Sequence, residues 1–237
     1  MNLNDFSNGF DTLLSSYAEK AMAGDNASRA TLHLDEYEKS LFLTGYQDEL
    51  VLSLYSGRNS SGRSFEETEE LRRYLSPLVE EDTLEPKDDT GLTGVDGNSK
   101  FFQLPEGLWF ITYESVRVSD GKCGDGSFLE VVPTTQDEYN RLRKNPFRGP
   151  NDRRALRLDI GERNVEIVSK YDITSYYLRY IKRLSPIILI DLPDGLTIEG
   201  EDEATECQLP EMLHRRILEG AVDAALRSRG IYTNQRE

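Results

Sequence analysis

Histidine, cysteine and tryptophan are scarce: the 237 residues hold two, two and one of them. Near-neutral acid–base chemistry therefore has only His33 and His214 to draw on. His33 precedes a capping pattern, and His214, between Leu213 and Arg215, reads as a packing or helix-surface residue. Cys123 and Cys207 lie far apart in polar, loop-like contexts, which excludes a disulfide scaffold and fits a reducing compartment. No CxxC or HxxxH spacing supports zinc, no GxSxG supports a nucleophile elbow, and Gly121-Lys122 lacks the upstream glycine of a phosphate loop. No metal, cofactor or catalytic set is selected, so the residues do not describe an enzyme. Long apolar runs are absent too: none approaches the ~18 residues that a membrane span needs. The start MNLNDFSNGF has no basic head followed by an apolar stretch, so no secretory signal is expected.

Positive charge is in deficit as well. Lysine and arginine number 28 against 43 acids, a net charge of −15. Such a balance argues against general affinity for nucleic acid, which requires cations to neutralise phosphates. It is compatible with an acidic wall past which DNA slides. At 37% hydrophobic and 30% charged, the chain has little apolar material for one deep core. An elongated, lobed or partner-completed form follows.

What is present divides by pattern into an α+β protein: a helical bundle, of three N-terminal helices and a C-terminal one, with an inserted β-rich domain. Residues 1–80 read as the bundle. Phe6, Phe10, Leu13, Leu14, Tyr17, Ala18 and Ala21 recur at three- and four-residue steps. Asp35 with Glu38, and Ser64 with Glu67, form capping boxes for two further helices. Residues 81–99 are rich in acids, glycines and small polar residues, and read as an acidic linker. Residues 100–198 turn to strands: FFQL, LWFITYESVRV and FLEVV, a short helix in TTQDEYNRLRK, a hairpin from RALRLDI and NVEIVS, then SYYLRYIKRL, PIILID and LTIEG. Residues 199–208 form a second acidic loop. Residues 209–237 are a returning helix, opened by Pro210, and a polar tail.

One segment runs against the net charge. From Arg141 to Arg157, KNPFRGPNDRRALRLDI and its approach hold seven bases, namely Arg141, Arg143, Lys144, Arg148, Arg153, Arg154 and Arg157, against Asp152 alone. Solvated arginines with weak surface pairs would be the bland account. Composition favours a contact surface: Phe147 sits amid the arginines, and Pro146 and Pro150 stiffen the loop. Arginine with aromatics is interface chemistry, and the two acid-rich loops of the same chain offer a complement. A head-to-tail contact between copies closes a ring when the rotation permits.

The order of these segments resembles the head-to-tail connector, or ring, proteins of tailed bacteriophages, most closely those of crAss-like phages. The resemblance is carried by DEYNRLRKNPFRGP at 137–150, RALRLDI and VEIVS, SYYLRYIKRLSPIILIDL at 175–192 and CQLPEMLHRRILEGAVDAAL at 207–226. DEYEKSLFLTGYQDELVLSLY and FEETEELRRYLSPLV fit the same pattern. It implies a structural virion protein, made in the host cytoplasm and placed at the head-to-tail junction. Copies would form a homo-oligomeric ring, a dodecamer, below the portal protein, touch adjacent tail or ring proteins, and extend the DNA channel with passive contact to DNA. The interface residues it implies are Phe147, Arg148, Arg153, Arg154 and Arg157, with His214 and Arg215 on the last helix facing the portal.

Two other classes remain open on residues alone. A cytosolic adaptor or regulator would bind an acidic protein partner through the 141–157 patch and leave it free in the isolated chain. An enzyme working with dispersed carboxylates would show perturbed acids converging in a cleft.

Overall fold

The computed structural model describes residues 1–22, 33–59, 62–87, 91–119, 126–193 and 195–231. Contacts divide the chain into two compact units, one of residues 1–77 with 184–237 and one of residues 78–183. The first holds helices and the second all seven strands with one short helix, so the chain as a whole is an α+β protein.

In the first unit, α1 (Leu3–Met22), α2 (Glu36–Ser56) and α5 (Glu211–Ser228) pack against one another. The expected periodicity decides α1: Phe6, Phe10, Leu14 and Ala18, four apart, are all buried. The capping box opens α2, with Asp35 accepting from Glu38 N at 2.7 Å and Glu38 accepting from Asp35 N at 3.2 Å. Gly57, at φ 76°, closes it in the left-handed conformation that glycine adopts freely. Close helix approach rests on Gly220, where a Cβ would lie 1.9 to 2.3 Å from the Tyr46 ring.

The third N-terminal helix is shorter than expected and starts later. Glu67 accepts from Ser64 N at 2.6 Å, but residues 65–67 form a turn. The helix, α3 (Glu69–Leu75), begins after Thr68, whose hydroxyl accepts from Leu71 N. At seven residues it packs on α2 as a spur and does not run as an equal bundle member.

A buried polar stripe on α2 has its own logic. Ser40, Thr44 and Gln47 follow each other at helical spacing, and each bonds the extended segment 185–189. Ser40 Oγ accepts from Leu189 N at 3.0 Å, Thr44 Oγ1 from Ile187 N at 3.0 Å, and Gln47 Nε2 donates to Ser185 O at 3.1 Å. This corrects the expectation of strands at PIILID and LTIEG. Helix side chains satisfy that backbone in place of a neighbouring strand, and only isolated bridges, Ile188 to Thr205 and Ile198 to Glu201, remain. Residues 184–198 accordingly group with the helices and not with the β-rich part.

The second unit is a seven-stranded sheet made of β1 (Val79–Leu84), β2 (Ser99–Gln103), β3 (Leu108–Ser119), β4 (Ser127–Thr134), β5 (Arg154–Gly161), β6 (Asn164–Val168) and β7 (Asp172–Lys182). Their order is β1-β7-β3-β4-β5-β6-β2, and every pairing is antiparallel except β4 with β5. The sheet curls: Phe102 on β2 and Tyr176 on β7, near opposite ends of the order, bring their rings to 5.3 Å. Its concave side holds the core, with Val116, Leu129, Ile167 and Leu178 fully or almost fully buried. The expected hairpin joins β5 to β6, its turn residues Glu162 and Arg163 both left-handed at φ 50° and 64°.

The acidic stretch 81–99 is not a linker throughout. Glu80, Glu81 and Asp82 lie in β1, which pairs with β7 and forms the sheet's edge. An edge strand tolerates charge because one side of it meets solvent, and charge there discourages unwanted pairing. Lys87 then bonds Phe101 across the far edge, its amide donating to that carbonyl at 2.8 Å.

The parallel β4–β5 step is made through α4 (Gln136–Leu142), capped by Thr135. On the convex face of the sheet, Tyr139 and Leu142 of α4 cover Leu156, Leu158 and Val168.

Candidate interface

The arginine segment is the connection from α4 to β5, and its backbone is tied at several points. Asn145 Oδ1 accepts from Phe147 N at 2.9 Å and Arg148 N at 3.2 Å. Gly149 N donates to Asn145 O at 2.8 Å, and Asn151 Oδ1 accepts from Arg153 N at 2.9 Å. Gly149 is required by close approach, since a Cβ there would lie 2.5 Å from Leu142 O. Asparagine side chains that mimic a turn in this way hold a loop by local bonds.

On this frame Phe147 stands 86% exposed. Arg148 and Arg153 are exposed and Arg154, the first residue of β5, is half-buried. Arg141, Arg148, Glu138, Leu142 and Asn145 line a shallow hollow of about 330 Å³. Among the described residues no ion pair holds Arg141, Arg143, Arg148, Arg153 or Arg154. Asp152, the sole acid of the segment, is engaged by the Lys170 ammonium and the Tyr171 hydroxyl, each at 2.8 Å. Lys170 holds its carboxyl below the usual aspartate range, with Tyr171 adding to the effect. The positive patch is thus less opposed in space than in sequence.

Arg157 leaves this set. It points into the curl, where Nη1 donates to both carboxylate oxygens of Glu114 at 2.9 Å. Their side chains are only 11% and 8% exposed. The buried Tyr176 hydroxyl donates to the same carboxylate at 2.6 Å. Burial pushes the Glu114 carboxyl above its ordinary range even with Arg157 opposing that shift, and burial raises Tyr176 strongly. Glu114 and Tyr176 were invisible as partners in the sequence, because 43 and 62 positions separate them in the two hydrogen bonds that define the group.

His214 leaves it too. It is buried, Nε2 donates to Leu209 O at 2.8 Å, Nδ1 faces the Met1 amine at 3.0 Å, and its ring lies 5.3 Å from that of Phe6. Its work is holding α5 to α1. Arg215 beside it is exposed and bonds Glu219 at 2.8 Å, one helical turn on.

Of the acidic surfaces, the β1 group is partly neutralised: Glu80 meets Lys182 at 3.2 Å and accepts from the Tyr180 hydroxyl at 3.0 Å. Residues 201–206 are not. Glu201, Asp202, Glu203 and Glu206 are exposed, and among the described residues no ion pair holds them. Geometry therefore leaves one arginine–aromatic surface and one acidic surface on the same chain. This is the equipment of an assembling structural protein.

Comparison with known proteins places that class. The chain belongs to the phage tail ring protein 3/4 family, whose family profile matches residues 1–237. It is 46% identical over 240 residues to Ring protein 3 of Bacteroides phage crAss001, covering the whole of both chains. It is 31% identical over 236 residues to Ring protein 4/5 of the same phage, covering 95% of this chain and 92% of that one. Membership implies a structural role in the virion and oligomeric assembly with other phage structural proteins.

Proposed function

We propose that the chain is one subunit of a homo-oligomeric ring, a dodecamer, that lies below the portal, extends the DNA channel and joins capsid to tail. The observation that carries this reading is the full-length match to a ring protein together with a hydrogen-bonded arginine loop tipped by exposed Phe147. In a chain of net charge −15, such a loop has ready partners in copies of itself. Phe147, Arg148, Arg153 and Arg154 form the contact. Arg215, exposed on α5, faces the portal protein. The excess of acid suits a channel wall that DNA passes without adhering.

Native mass determination of the purified chain, alone and with portal protein, tests the reading. A ring of subunits, in either setting, supports it; a monomer in both sinks it. Reversing Arg153 and Arg154 to Glu is expected to abolish or weaken assembly and to leave the monomer folded, with a stability loss of about 1 kcal/mol from half-buried Arg154 opposite Glu130. Unchanged assembly in that variant removes the arginine loop from the contact.

A further inference from the structure

The convex face of the sheet is only half covered. Side chains two apart along a strand share a face, so Phe128, Glu130 and Val132 of β4 lie on the side that α4 covers farther on. Cross-strand register carries that face back toward the sheet's first strands. Arg117 on β3 pairs with Phe128, Ser115 pairs with both Glu130 and Tyr177, and Glu130 pairs with Arg154. Tyr113 and Phe128 are 51% and 63% exposed. The Tyr113 and Tyr177 rings meet edge to face at 6.0 Å, and the Arg117 guanidinium lies 5.2 Å from the Phe128 ring centroid. The exposed area is built of tyrosine, phenylalanine and arginine, the residues that concentrate binding energy. Through Glu130 and Arg154 it runs into the arginine loop.

A complementary surface exists on the same chain. In the segment 190–206, Ile190 and Leu196 are exposed apolar side chains beside Glu201, Asp202, Glu203 and Glu206, which no ion pair holds among the described residues. The described residues of the segment are tied together, with Leu192 N donating to Asp202 O at 2.7 Å and Ala204 N to Asp191 Oδ1 at 2.8 Å. Ile188 and Thr205 exchange two further bonds at its base. Apolar and acidic groups on one surface match aromatic and cationic groups on the other. A heterologous contact needs two such unlike surfaces on each copy.

We propose that the sheet face formed by exposed Tyr113, Arg117 and Phe128 with half-buried Tyr177 receives the 190–206 loop of a second copy of this chain. The inference rests on the ring reading and names the contact within it. Replacing Phe128 by the photo-crosslinker p-benzoylphenylalanine tests it directly. Full-length chains are assembled from an equal mixture of ordinary and ¹⁵N-labelled copies, alone and with portal protein, then irradiated and mapped by mass spectrometry.

The expected product joins position 128 of one isotopic form to a peptide of 190–206 from the other. Independently, Arg117→Glu is expected to weaken self-association by about tenfold, the loss of one arginine anchor. Combining it with Asp202→Lys in the same chain restores part of the loss. Crosslinks in an assembled oligomer that fall elsewhere in the chain, or on portal protein, overturn the proposal and leave the ring reading standing. A chain that stays monomeric alone and with portal overturns both.

Discussion

Arg157→Met is the perturbation that separates the two kinds of arginine in the 141–157 segment. The substitution keeps an unbranched side chain of similar length but leaves Glu114, 8% exposed, without its bidentate partner. Among the described residues, only the Tyr176 hydroxyl, at 2.6 Å, would still serve the carboxylate. Removing one member of a buried ion pair costs about 3–5 kcal/mol, because the survivor is a charge without compensation. The buried Glu114 also has its carboxyl raised, chiefly by desolvation, and Arg157 is the leading group that opposes this. An acid whose folded pKa lies above the unfolded value holds more protons when folded, so stability rises as pH falls through the folded pKa. The variant is therefore expected to be about 3 kcal/mol less stable at pH 7 and to recover part of that loss toward pH 5. Glu114→Gln combined with Arg157→Met removes both charges and is expected to lose less than the single variant. Urea unfolding across pH 5 to 8, followed by circular dichroism, reads all three chains. A single variant within about 1 kcal/mol of the parent, and flat with pH, would refute the argument that this pair is buried and coupled.

Three other outcomes follow from particular contacts. Gly220→Ala gains about 1 kcal/mol of helix propensity but drives a methyl into the Tyr46 ring, and overpacking of about 1–3 kcal/mol outweighs it. Thermal melts should show net destabilisation that turns neutral or stabilising in a Tyr46→Ala background; the same loss in both backgrounds would remove Tyr46 as the cause. At the β5–β6 turn, Glu162→Asn with Arg163→Gly relieves two left-handed residues, each strained by about 1 kcal/mol or more. That relief exceeds the exposed Arg163–Glu106 pair it removes, so the melting temperature rises; a fall would show that the pair outweighs the strain. In alkali, burial opposes the Lys39 charge but Asp11 and Glu36 outweigh it, keeping its pKa above the ordinary lysine value. Burial and Glu80 push Tyr180 up to about 12. Each group holds its proton longer folded than unfolded, so stability present below pH 10 is lost as pH rises above it. Tyrosine absorbance at 295 nm should rise together with loss of ellipticity, and titration of all tyrosines near pH 10 with the fold intact would contradict this.

Much of the fold was legible because short-range rules govern it. The Asp35–Glu38 box, the four-residue step of Phe6, Phe10, Leu14 and Ala18, and the alternation of RALRLDI and NVEIVS all act within a few residues. The failures share a cause. PIILID has strand composition, yet its hydrogen bonds go to Ser40, Thr44 and Gln47, some 140 positions away. VEEDTL has linker composition, yet β7 supplies a partner that makes an acidic edge strand tolerable. Propensity measures what a segment prefers alone, and in both places a distant neighbour decided where its backbone groups were satisfied.

The candidate site divides along the same line. Counting charge found the segment and the resemblance gave it a use, but neither could sort seven bases by direction. Strand parity does that: from Arg154 onward, Leu156 and Leu158 share the convex face with Arg154, so Arg157 must point into the curl with Ala155. There it meets Glu114, and its charge is spent inside the fold. Arg153 and Arg154 stay at the mouth of the strand, and Arg148 and Phe147 stay on the loop that asparagine side chains hold out. One run of like residues thus does two physical jobs, and the boundary between them is a single step of the β pleat.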